Sequence, residues 1–132
     1  MGFLAVVASF FAFPANAQAP FTAAIPGENY VYAWNEIPSY EAPTWTFCSC
    51  VQYAKAVLGR GNESWGNAGA IAPTTDTPYP GAVVITTEGG GHVAVVTEVF
   101  VDKITIKEAN YIPCAESERT LPLDNPAIRG YM

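Results

Sequence analysis

Basic residues are scarce in this 132-residue chain: six Lys and Arg stand against twelve Asp and Glu, and the first of the six is Lys55. Gripping a phosphate backbone takes a clustered basic surface, so no nucleic-acid partner is expected. Histidine occurs once, at His92, and cysteine three times, at Cys48, Cys50 and Cys114. Imidazole chemistry therefore has a single place to happen. Internal repeats and low-complexity tracts are missing, and the apolar run at residues 2–13 is shorter than the about 20 residues of a spanning helix. What the chain does have is a 50% share of apolar residues and only 14% charged ones, enough to bury a core. Its length allows one domain and an appendage, with no room for a second enzyme domain.

The appendage is N-terminal. Residues 2–13 are uncharged and apolar, Pro14 ends the run, and Ala15-Asn16-Ala17 follows with the small-x-small pattern of a signal-peptidase site. Residues 1–17 thus read as a secretory signal cut after Ala17, although no Lys or Arg opens it. The competing reading is an apolar N-terminal helix that stays on the chain, buried or touching a membrane transiently through residues 2–13. Residues 18–43 form an arm in which Pro20, Pro26, Pro38 and Pro43 forbid a long helix. Tyr30, Tyr32, Trp34, Tyr40 and Trp45 fall in or beside it. They could stack on sugar rings if exposed together, or pack back onto the domain that follows.

From residue 44 the pattern changes. Thr44, Thr46 and Ser49 are each suited to an N-cap, and apolar residues recur at Phe47, Cys50, Val51, Ala54, Val57 and Leu58. With Gly59 fit for the C′ position, a helix is predicted from Thr46 to Leu58. Cys50 then sits near its start, where free N–H groups and the positive end of the dipole favour a thiolate. On helix position alone, Cys50 reads as well as a small buried apolar residue.

Three strands are predicted at Ala82–Thr87, Val93–Phe100 and Lys103–Glu108, from β-branched content and alternation. His92, Ala94, Val96 and Glu98 share one face; Ile104, Ile106, Glu108 and Asn110 share another. Bringing these faces together requires an odd-length loop. A three-residue loop, Phe100-Val101-Asp102, would pair Val99 with Lys103, place Ala94 opposite Glu108 and place His92 opposite Asn110. A carboxylate, an amide and the only imidazole would then converge on a face that is otherwise apolar. Were the strand to stop at Lys107, Glu108 and Asn110 would simply enter water.

Thiolate, imidazole and a polar group behind the imidazole are the nucleophile, base and orienter of acyl transfer. Cys50 would attack a carbonyl, His92 would carry the proton, and Glu108 would stabilise the imidazolium. Backbone N–H groups near Cys50 would serve as oxyanion donors. Asn110 would orient His92 or polarise the carbonyl.

Four segments resemble a known family. Cys50-Val51-Gln52-Tyr53-Ala54 resembles the nucleophile segment of CHAP domains, the cysteine- and histidine-dependent amidohydrolases and peptidases of the NlpC/P60-type group. Pro80-Gly81-Ala82-Val83-Val84 followed by Gly90-Gly91-His92-Val93-Ala94-Val95-Val96 is similar to the strand entering the Gly-His-Val-Ala element of that family. Glu108-Ala109-Asn110 resembles its Glu-x-Asn element, and residues 124–131 resemble its closing strand. The likeness covers residues 44–132. It implies an α+β, papain-like fold, with the Cys-bearing helix packed on a small antiparallel sheet. It also implies cleavage of amide bonds in peptidoglycan, as an endopeptidase or an N-acetylmuramoyl-L-alanine amidase, with Cys50, His92, Glu108 and Asn110 as the site and no cofactor. Such a protein would be secreted, periplasmic or carried on a virion, acting at the cell wall.

Two other readings compete. Cys48, Cys50, Cys114 and His92 could be four zinc ligands, although Cys-x-Cys lacks the usual knuckle spacing. In an exported chain a Cys48–Cys114 disulfide would leave Cys50 free, and both thiols could equally stay reduced. A catalytically silent relative would use the same groove, or the aromatic arm, to bind wall polymer or a virion partner. Trp65 and Asn67 are read as groove-lining or turn residues, and Arg119 and Arg129 as surface partners of nearby acids.

Overall fold

In the computed structural model, residues 30–33 and 39–132 are described, so the expectations for residues 1–17 and for most of the 18–43 arm lie outside them. The described chain is α+β. A single sheet is ordered β5-β4-β3-β2-β6, all neighbours antiparallel, with β1 pairing β3 beyond the end of β2. The strands are β1 (Tyr30–Ala33), β2 (Val83–Thr86), β3 (His92–Phe100), β4 (Lys103–Ala109), β5 (Glu116–Pro122) and β6 (Ile128–Tyr131). The one α-helix among the described residues, α1, spans Cys50–Val57. No helix among them is long and apolar enough to cross a membrane.

The helix is shorter than its apolar periodicity suggests. Thr44–Cys48 forms a separate 3-10 turn, and Ser49 breaks the chain with extended torsions, φ −145° and ψ 111°. Ser49 is thus the N-cap: its hydroxyl accepts from the Gln52 N–H at 3.2 Å. The consequence is that Cys50 is the first helical residue. At the far end Gly59, at φ +68°, closes a Schellman motif: its N–H bonds the Ala56 carbonyl, and the next N–H, of Arg60, bonds that of Lys55 at 2.8 Å.

Alternation divides the sheet between two cores. Val83, Ile85, Val93 and Val95 pack with Tyr53, Ala54 and Val57 of α1. Ala82, Val84, Ala94, Val96, Ile104, Ile106 and Leu121 form a second cluster on the other face. The expected three-residue hairpin is corrected: β3 and β4 are joined by two residues, Val101 and Asp102, and Val99 pairs Ile104. A bulge between Val96 and Glu98 then inserts one unpaired residue. Beyond it the pairs are Val96 with Ile106 and Val95 with Lys107, the register that the odd loop would have produced. Two strands, β1 and β5, have no counterpart in the sequence reading. In β5 the polar run Glu-Ser-Glu-Arg-Thr conceals an edge strand whose Leu121 alone is buried.

Candidate active site

The site forms at the end of the sheet where β3 begins. His92 has the parity of Ala94 and Val96, so its side chain leaves the strand on the face away from α1. A cleft of about 260 Å³ opens there, lined by Cys50, Glu88, Gly91, His92, Asn110 and Tyr111 among others. Gly91 allows the close approach that shapes this wall. A Cβ on it would run into the Gly69 backbone, and one on Gly69 would lie 2.6 Å from the Gly90 carbonyl oxygen.

Glu108 stands behind His92 and is fully buried. Its Oε1 accepts from His92 Nε2 at 2.9 Å and from Arg119 Nη2 at 3.0 Å. Its Oε2 accepts from Ser117 Oγ at 3.1 Å and Arg119 Nε at 2.6 Å. An ionised carboxylate only accepts, which keeps the His92 proton on Nε2 and leaves Nδ1 for the Cys50 sulfur. The Cys50 side chain approaches the ring closely enough for each to shift the other's titration, so the row runs Cys50–His92–Glu108.

The charges in this row support one another. Burial pushes the Cys50 thiol up, but hydrogen bonds from His92 and the Val93 N–H, the imidazolium charge and the Val51 N–H outweigh it and hold the thiol below its ordinary value. Burial pulls His92 down, yet its bonds to Cys50 and Glu108, and their negative charges, raise it to about 9. Glu108, which burial alone would push up, is held below the usual carboxylate range by His92 and Arg119. A thiol held down beside an imidazole held up is the pairing that favours passing the sulfur's proton to the ring. Around Cys50, the Gln52 N–H is used by Ser49 Oγ and the Tyr53 N–H by the Ser49 carbonyl. The Cys50 N–H has no acceptor among the described residues.

Asn110 departs from its expected place. It lines the cleft but does not orient His92: at φ +65° it has left the strand, and its Oδ1 accepts the Cys114 N–H at 2.9 Å. Cys114 is joined to Cys48 by a disulfide, and Cys50 is free. Two of the four supposed zinc ligands are thereby consumed by each other, and no group of three or more His, Cys, Asp or Glu residues that could hold a metal occurs among the described residues. Trp45 is 69% exposed. Trp65 does not line the cleft; its indole N–H donates to Glu63 and Arg60 lies over its ring. Asn67 is likewise away from the cleft, preceding a short 3-10 turn without a side-chain cap bond. Arg129 donates to the Ile71 carbonyl instead of an acid.

Arg119 is the residue that sequence reading undervalued. It is no loose surface partner, because it also donates to Glu88, Nη1 to Oε2 at 3.0 Å and Nη2 to Oε1 at 2.9 Å. The Tyr111 ring covers it, 3.5 Å from the guanidinium carbon. The signal was the spacing of Ser117, Arg119 and Leu121 on one face of a strand too polar to be noticed.

An α+β domain whose free thiol and imidazole share a cleft at one end of an antiparallel sheet is the class of protein these features define. A family model described as the CHAP domain matches residues 38–110, more than half of the chain, and the chain belongs to that family. The family is associated with hydrolase activity on peptidoglycan. No curated protein and no solved structure matches the chain.

Proposed function

We propose that this chain is a peptidoglycan hydrolase that cleaves amide bonds through a Cys50 acyl-enzyme, on a papain-like arrangement of helix and sheet. The observation that carries the reading is the placing of Cys50 and His92 on the wall of one cleft, with His92 hydrogen-bonded from behind by Glu108. Cys50 Sγ attacks the carbonyl carbon, and the oxyanion that forms is received by the N–H of Cys50, which has no acceptor among the described residues. As the C–N bond breaks, His92 gives its proton to the departing amine. A water then attacks the thioester, its proton passes to His92, and the acid product leaves with the thiolate–imidazolium pair restored. Glu108 supports the imidazolium throughout, and no cofactor enters the scheme. Asn110 belongs to the cleft wall in this reading.

The bond cut is either within the wall peptide or between the glycan and its first alanine. The Cys48–Cys114 disulfide supports a site of action outside the reducing cytoplasm, at the wall, reached by secretion or on a virion. The test is turbidity loss and muropeptide release from purified peptidoglycan by the wild type and by Cys50→Ala. Activity in the wild type that falls at least roughly 1,000-fold in the variant is expected. Equal activity in both would overturn the thiol mechanism, and an inactive wild type would favour a binding module.

A further inference from the structure

Behind the proposed catalytic row, one cation is shared by two carboxylates. Arg119 donates through Nε and Nη2 to Glu108 and through Nη1 and Nη2 to Glu88, while Tyr111 covers its face. The two acids do different things. Glu108 receives His92 Nε2. Glu88 opens the Glu88–Gly90 turn that runs directly into His92, and it is fastened there by Thr86 Oγ1 at 3.1 Å as well. The guanidinium therefore reaches His92 twice, through the acceptor behind its ring and through the chain in front of its backbone.

We propose that Arg119 is a positioning residue for the thiolate–imidazolium pair: clamped between Glu88 and Glu108, it keeps Glu108 ionised and fixes the turn that delivers His92. The proposal rests on the hydrolase reading for its purpose, but not for its test. Glu108 is fully buried, and a buried carboxylate without a counter-charge takes up a proton. The groups bonded to it are His92 from β3 and Arg119 and Ser117 from β5, while the Tyr53 hydroxyl of α1, bonded to Glu116, feels its charge. Of these only Arg119 is a permanent cation. Without it the neutral pair, Glu108 acid and His92 imidazole, is favoured over two buried ions, and Cys50 loses the imidazolium that keeps its proton away. Lysine is no substitute, because a single ammonium cannot bond two carboxylates in a planar fork.

The experiment is the rate of Cys50 alkylation by iodoacetamide as a function of pH, in wild type, Arg119→Met and Arg119→Lys, with thermal melts alongside. Alkylation reads the thiolate directly and needs no peptidoglycan, so it stands even if the substrate assignment fails. For folded Arg119→Met the midpoint of thiolate formation is expected to rise by at least about one pH unit, a tenfold loss of thiolate below it. Arg119→Lys is expected to shift in the same direction by less. A wild-type profile in a folded Arg119→Met overturns the proposal. Should that variant not fold, a wild-type profile in Arg119→Lys overturns it and a raised midpoint supports it.

Discussion

Glu108 and Asn110 are two residues apart and belong to two different regimes. The strand end around Glu108 is buried, and four donors fill its two oxygens. The turn around Asn110 is exposed, carries two non-glycine residues at positive φ, Asn110 and Cys114, and is tied down by a disulfide. Alternation assigns a side chain to a face only while the backbone stays extended. At Glu108 it does, and the carboxylate lands under His92. At Asn110 the chain has turned left-handed, and the side chain serves its own turn through the Cys114 N–H.

If that contrast is right, truncating the two residues should have very different effects. Glu108→Ala takes the buried acceptor from His92 Nε2 and leaves Arg119 with Glu88 alone. Breaking such a buried pair is expected to lower unfolding stability by about 3–5 kcal/mol in urea titrations, and muropeptide release should fall at least about 100-fold. A small loss of both would place Glu108 in the same regime as Asn110.

A second test separates the ion pair from the rest of the site by pH. His92 is raised to about 9, so the imidazolium is present below that value and lost as pH rises through it. Hydrolysis should therefore decline above about pH 9, where no proton remains for the leaving amine, while iodoacetamide alkylation of Cys50 should persist. The linked stability has the same sign. It is fully present below the ordinary His value near 6.5 and is given up as pH climbs to about 9. Parallel decline of hydrolysis and alkylation would contradict the assignment of His92 as the acid.

The smallest effect is expected at the turn. Asn110→Gly keeps the left-handed backbone accessible and removes only the bond to the Cys114 N–H. About 1 kcal/mol of stability should be lost, with hydrolysis within about threefold of wild type. A loss as deep as that of Glu108→Ala would restore Asn110 to the role of orienting His92.

Cys50, His92 and Glu108 were legible because each sits in a regular element, where period and capping residues carry information about direction. The helix end was read less well, since apolar spacing runs through Phe47 without registering the break at Ser49. The hairpin shows how local error and correct register coexist: Phe100 is in the strand and not in the loop, the bulge at Thr97 makes up the one-residue difference, and the pairing toward His92 is the same. Arg119 was not legible. Its place depends on β5 pairing β4 across the left-handed turn, with Ser117 beside Glu108, and no local pattern in a polar edge strand announces such a partner.

The contact between Gly69 and Gly91 has a consequence for how this cleft can vary. Where two main chains touch beside His92, that stretch of wall presents bare peptide groups to anything lodged against it. Selectivity cannot be retuned there by exchanging one side chain for another. Any replacement would prise the two segments apart and carry the imidazole with them, so diversity among substrates has to be written elsewhere on the rim, at positions such as Tyr111.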